Sequence, residues 1–197
     1  MSHDHHEASG SMAERVQALV ARLEVKGIVS DAEVDQTIET LLAKATPANG
    51  GAVVARAWVD PSFAARLVAD ANAAIRELGF DMSHWAEVKL RAVANTETIH
   101  NVIVCTLCSC YPIALLGPSP TWYKSAAYRA RVVREPRKVL EELGVRLDPG
   151  VEVRVWDSTA ELRYIVIPRR PAGTEDLSEA DLAARVSRDA LIGTALV

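Results

Sequence analysis

The side chains best suited to chemistry are the only three cysteines of the chain, packed into the run Cys105-Thr106-Leu107-Cys108-Ser109-Cys110. Gaps of three and then two residues cannot be met on one face of a regular helix or strand, so a loop or helix end must bend the sulfurs toward a common point. Cysteines this close seldom satisfy the dihedral demands of a disulfide, and an odd number cannot form a fully paired framework. A bent cluster of thiols suggests a metal, and soft thiolates favour transition ions over magnesium or calcium. A structural zinc site wants a fourth protein ligand at its usual spacing; no fourth cysteine exists, and His100 lies upstream in a strand-like run. If one ion takes all three sulfurs, the peptide nitrogens between Cys108 and Cys110 come within bonding reach. A strongly Lewis-acidic trivalent ion can hold them deprotonated and leave a position open for water or substrate. Spacing alone leaves a catalytic metal, a zinc site and a redox-sensing thiol cluster all open.

Composition narrows the setting. With 197 residues, 49% hydrophobic and 24% charged, the chain can bury one good core and carry a helical appendage. A net charge of −4, a pI near 5.8 and arginines scattered along the chain argue against nucleic acid as a partner. No apolar window approaches the length of a membrane span, and Met1 to Gly10 is polar rather than a basic-then-apolar leader. A cytoplasmic protein without membrane association is expected. His3, His5 and His6 fall in a tail, residues 1–11, expected to be disordered.

The elements that must position the cysteines follow from periodicity. Val16, Leu19, Val20 and Leu23 recur at helical spacing up to Gly27, and Asp31 reads as the cap of a second helix carrying Val34, Ile38, Leu41 and Leu42. Pro47 and Asn49-Gly50-Gly51 read as a turn. Asp60-Pro61 opens a helix through Phe63, Leu67, Val68 and Ile75 to Gly79. Alternation at Val88, Leu90 and Ala92 and the β-branched run Ile99 to Cys105 predict strands, the second feeding the cysteine loop. Thr121 to Gly144 is helical with a break at Pro136. Val151 to Trp156 and Arg163 to Ile167 form an expected strand pair, and Ser178 with Asp181 caps a last helix through Leu182 and Val186.

The cysteine run, preceded by Val102-Ile103-Val104 and followed by Tyr111-Pro112, resembles the metal claw of nitrile hydratase α subunits. The resemblance continues through Trp122-Tyr123-Lys124-Ser125, Tyr128 to Arg137, Val153-Arg154-Val155-Trp156-Asp157-Ser158, Arg163-Tyr164 and Arg170-Pro171-Ala172-Gly173-Thr174, and reaches back to Ala57-Trp58-Val59-Asp60-Pro61. It implies an α+β fold: a layered α/β/β/α catalytic domain with mixed sheets over residues 80–197, after a helical N-terminal arm over 12–79. It further implies a low-spin cobalt(III) centre, with iron(III) as the alternative, because threonine in the position of Thr106 accompanies cobalt in that family and serine accompanies iron.

Carried over by position, Cys105 is the axial thiolate, Cys108 and Cys110 are equatorial sulfurs, and Ser109 and Cys110 donate amide nitrogens. Cys108 is expected as sulfinate and Cys110 as sulfenate, two rungs of the thiol oxidation ladder. Cys108, Ser109 and Cys110 form the catalytic set for hydrating a small nitrile to its amide. Asp157, Glu161 and Arg163 match positions that orient groups behind the claw, while Ile113, Trp122 and Tyr123 match the substrate pocket. A β-type subunit, as one chain or two, is the implied partner in an α2β2-like assembly, and an accessory protein is expected to deliver cobalt. Two departures bear on substrate: Ile113 and Ala114 stand where many relatives carry a pocket tryptophan, and Asp81 to Trp85, including His84, stands where some relatives place a glutamine. The alternatives are the metal-bearing subunit of thiocyanate hydrolase, sharing the same claw, and, from another class, a non-catalytic zinc or redox-sensing module.

Overall fold

The computed structural model describes residues 11–82, 88–108 and 110–197, and falls into two compact units, residues 1–43 and 44–197. The expected roles of His84 and Ser109, and the histidine tail apart from Ser11, lie outside the described residues.

The first unit carries helix α1, Met12–Val25, and most of helix α2, Asp31–Lys44. Ser11, expected in the tail, caps α1 by accepting from Glu14 N, while the Glu14 carboxylate accepts from Ser11 N at 2.6 Å. Ser30 and Glu33 make the same reciprocal bonds ahead of α2, so Ser30 rather than Asp31 is the cap. Neither helix buries a residue; Val16, Leu19, Ile38 and Leu42 are exposed.

The second unit opens on helix α3, Pro47–Val59, which runs straight through Asn49-Gly50-Gly51. These glycines mark close packing instead of a turn. A Cβ on Gly51 would stand 2.7 Å from Ala183 O, and one on Gly50 would stand 2.8 Å from Leu115 O. Glycine's helix penalty, about 1 kcal/mol, is offset by the approach it permits. Helices α4, Pro61–Ala69, and α5, Ala71–Glu77, follow; Asp60 caps the first as expected, and Asp70 caps the second, splitting what reads as one helix. These three helices, placed with the arm by sequence, share a compact unit with the strands.

Strand β1, Lys89–Ala94, pairs in parallel with β4, Leu162–Ile167, and β2, Ile99–Val104, pairs in parallel with β3, Glu152–Asp157. The sheets are thus two parallel pairs rather than mixed ones. The pair expected between the third and fourth strands does not form, because each is taken by an earlier strand. Between β2 and β3 lie helix α6, Ile113–Leu116, a 3-10 turn, Thr121–Lys124, and helices α7, Ala126–Val132, and α8, Pro136–Glu142. Helix α9, Glu179–Arg185, is capped by Ser178 as predicted, but a further helix α10, Arg188–Ile192, closes the chain. Helices α4 and α5 pack on β1, α3 and α10 on β4, and α8 on β3, while β2 touches β1 and β4. The order is therefore helices, sheet, sheet, helices. Ile103, Val104, Ile165, Leu140 and Leu191 are buried at its centre, each burial being worth about 1.5–3 kcal/mol.

A polar cluster ties α10 to the start of β2. His100 is buried; its Nε2 lies 2.7 Å from Gly193 O, and its Nδ1 lies 3.3 Å from Asn95 Nδ2. Since a carbonyl only accepts, Nε2 carries the proton and Nδ1 accepts from the amide. Gly193 has φ +88°, and a Cβ there would fall 1.9 Å from Asn101 O.

Two expectations follow from this cluster. Gly193→Ala should destabilise the protein by at least about 2 kcal/mol, read as a lowered urea midpoint. Burial lowers the His100 pKa below its ordinary 6.5, so below that pH the unfolded chain binds the extra proton and the folded chain resists it. Stability is then full above about pH 6.5 and falls as the pH drops through the folded pKa. Denaturation of wild type and His100→Gln between pH 5 and 7.5 checks this: the variant should lose that part of the slope.

Candidate metal centre

The cysteine loop hangs from the end of β2. That strand is held in place on both sides: Val104 stands opposite Asp157 in the ladder, and Tyr128, on α7, donates its hydroxyl to Ile103 O at 2.8 Å. Beyond Val104 the chain leaves the sheet and turns back on itself. Cys105 is buried, Cys108 is exposed and Cys110 is intermediate, so the loop shows one edge to solvent and anchors the other in the core.

The bend gathers the three sulfurs. All lie within 4.8 Å of one another, with Sγ separations of 3.3 Å for Cys105 and Cys108 and 3.1 Å for Cys108 and Cys110. None forms a disulfide. Three sulfurs gathered this closely can serve as ligands of a single ion.

Electrostatics point the same way. Burial, followed by the hydrogen bond with Cys108, pushes the Cys110 thiol up to about 12, and only the positive charge of Arg163 opposes the rise. Three crowded thiols do not all ionise unless a cation joins them; a bound metal reverses that balance and deprotonates them. The donor set therefore fits a thiolate-binding transition ion. Cys108 N also donates to Cys105 Sγ at 3.2 Å, tying the turn of the loop to its buried sulfur.

The supporting side chains are partly those expected. Asp157, at the end of β3, accepts from Thr106 N at 2.9 Å and from Thr106 Oγ1 at 2.6 Å, pinning the first turn of the loop through both oxygens. Arg163 lies at the start of β4, its guanidinium donating to Thr159 O and Leu162 O while its charge reaches Cys110. Glu161 is not brought to the loop: it is exposed, and its carboxylate accepts from Thr159 within its own turn. Ile113 is 38% exposed and Trp122 half-buried, so both offer surface. Tyr123 offers none. It is fully buried, packs edge-on against Tyr111 at 5.1 Å, and donates its hydroxyl to Cys110 O at 3.1 Å. Burial holds its phenol well above the usual range, so it stays a donor.

Two supports went unassigned in the sequence, Tyr128 and Arg129. The latter donates Nη1 to Thr106 O at 3.3 Å. Both lie in a stretch that carries the family resemblance, but a hydrogen bond to a main-chain carbonyl leaves no trace in residue spacing.

Comparison with known proteins settles the kinship. The model of the nitrile hydratase α chain matches residues 10–195. The chain belongs to the nitrile hydratase α-chain family. It is 50% identical over 185 residues to the α subunit of the low-molecular-weight cobalt-containing nitrile hydratase of Rhodococcus rhodochrous, covering 94% of this chain and 88% of that one. A chain of an iron-type nitrile hydratase double mutant from Comamonas testosteroni Ni1 superimposes with a TM-score of 0.86 at 44% identity, covering 94% and 89%. The thiocyanate hydrolase γ subunit of Thiobacillus thioparus is 42% identical over 162 residues, covering 76% and 65%. The nitrile hydratase family thus includes cobalt and iron members, and its fold is shared with a hydrolase of an inorganic anion.

Asp157 offers a direct check on the support of the loop. Asp157→Ala releases two Thr106 donors and should destabilise the protein by about 1–3 kcal/mol, with a loss of retained metal after dialysis. Asp157→Asn keeps one acceptor and should fall between. Urea denaturation and metal analysis of the three proteins measure both effects.

Proposed function

We propose that this chain is the metal-bearing subunit of a cobalt nitrile hydratase, converting a nitrile to its amide together with a β-type partner. The gathering of three cysteine sulfurs within reach of one ion carries the reading, and kinship supports it. Cys105, Cys108 and Cys110 supply the sulfurs, and the amides of Ser109 and Cys110 complete the donor set. Cobalt is favoured by the cobalt-containing Rhodococcus relative and by Thr106. When bound, the ion supplies Lewis acidity that polarises the nitrile and so lowers the main barrier to adding water.

The residues of the chain do the rest. Asp157 and Arg129 hold the loop from both sides of Thr106, so the sulfurs keep their spacing without reorganising during turnover. Cys108 as sulfinate and Cys110 as sulfenate place oxygens at the exposed edge, and the Cys110 oxygen is positioned either to take a proton from water or to attack the nitrile carbon. Ile113, Leu107 and Trp122 give the approach an apolar character suited to a nitrile side chain. The uncovered stripes of α1 and α2 supply a surface for the β-type partner, in an α2β2 assembly or one with a divided β chain. An accessory protein delivers the cobalt. The setting is the cytoplasm; among the described residues no helix is long and apolar enough to cross a membrane.

The Thiobacillus relative supports a second reading, thiocyanate as substrate. Assays of the metal-loaded complex with aliphatic and aromatic nitriles and with thiocyanate separate the two, and turnover of nitriles alone is expected. Mass spectrometry of the same complex should find two added oxygens on Cys108 and one on Cys110. Plain thiols there, or zinc in place of cobalt, would contradict the proposal.

A further inference from the structure

The sequence places Tyr123 with the substrate pocket, yet it has no exposed surface with which to meet a substrate. We propose that Tyr123 is a positioning residue for the metal loop, acting through its hydroxyl on the backbone of Cys110. The proposal rests on reading the loop as the metal centre, and it deepens that reading by assigning what holds the loop's C-terminal end.

One segment of chain serves the whole loop. Within residues 121–132, Tyr128 donates to Ile103 O, Arg129 to Thr106 O and Tyr123 to Cys110 O, so three donors meet carbonyls before, at the start of and at the end of the cysteine run. The first two carbonyls belong to residues with other restraints: Ile103 sits in the β2–β3 ladder, and Thr106 is pinned by Asp157. The Sγ of Cys110 meets that of Cys108 at 3.1 Å, but its carbonyl depends on Tyr123. Among the described residues, no other donor reaches its carbonyl. Holding that carbonyl fixes the Cys110–Tyr111 peptide, and with it the anchor from which the Cα of Cys110 carries its own nitrogen and Sγ. Both atoms belong to the proposed donor set.

The ring that carries the hydroxyl is itself fixed. Tyr123 packs between Tyr111 at 5.1 Å and Tyr128 at 5.7 Å, with Trp122 at 6.1 Å, so the phenol has little room to swing away from its acceptor. A purely structural tyrosine would tolerate phenylalanine, since the ring would pack as before. A positioning tyrosine would not, because a shift well under an ångström in a catalytic group is felt in the rate.

The test uses the full chain assembled with its β-type partner and loaded with cobalt, comparing wild type, Tyr123→Phe and Tyr128→Phe. Both variants keep their rings, and circular dichroism and gel filtration check that they assemble. Tyr123→Phe should shift the sulfur-to-cobalt absorption band and lower kcat by about tenfold to a hundredfold, with KM nearly unchanged. Tyr128→Phe, whose hydroxyl meets Ile103 O ahead of the loop, should shift the band less than Tyr123→Phe does. An unshifted band in Tyr123→Phe overturns the proposal, as does an equal shift in both variants, which marks general packing. A rise in KM with kcat held also overturns it, since that is the behaviour of a pocket wall. A wild-type complex lacking the band would sink the metal reading itself, and the proposal with it.

Discussion

Everything in this structure that bears on chemistry depends on the crowding of three sulfurs at the end of one strand. Burial first, then the hydrogen bond with Cys108 and only lastly the neighbouring sulfurs, make the Cys110 thiol resist losing its proton, while the sulfurs stand 3.1–3.3 Å apart. The arrangement is unfavourable until a cation compensates it, so the fold must hold the loop bent beforehand. It does so with the parallel pairing of β2 and β3, which carries the Asp157 carboxylate to Thr106, and with the aromatic segment over 121–132, which reaches the carbonyls on the other side. A preorganised site of this kind binds metal with less reorganisation, and it holds the open edge of the loop toward the solvent.

The parallel topology explains why the loop is where it is. In an antiparallel hairpin, the chain after Val104 would turn directly into its neighbour. Here it must travel around the sheet to enter β3 alongside β2, and the cysteine run is the first part of that crossover. The same crossover contains the 3-10 turn and α7, so the supports for the loop come from chain that follows it closely in sequence. Burial of Cys105 against exposure of Cys108 follows from that course: the loop leaves the core at its first cysteine and reaches the surface at its second.

Much of this was legible in the sequence because local chemistry dictated it. Asp60-Pro61 and Ser178 carry capping signals that tertiary contacts do not override, and the β-branched run ending at Val104 could hardly be anything but a strand. What escaped was set by partners distant in sequence. Gly50-Gly51 has the letters of a turn, but Ala183 and Leu115 need the space their missing side chains leave, so α3 runs through them. The partner of each strand was likewise invisible, since periodicity gives a strand's faces but not its neighbour. At the site, the cysteines and Asp157 could be singled out from residue type and family resemblance, whereas the Glu161 carboxylate turns to Thr159, and Tyr123 is fully buried with its hydroxyl on Cys110 O.

X-ray absorption at the metal edge of the assembled, loaded protein tests the central claim most directly, because it reads coordination number and ligand type without reference to turnover. The account predicts a cobalt ion bound by sulfur and lighter nitrogen or oxygen donors in a six-coordinate shell, as the proposed set of three sulfurs, two amide nitrogens and one open position requires. A four-coordinate tetrahedral shell, of cobalt or of zinc, would contradict it.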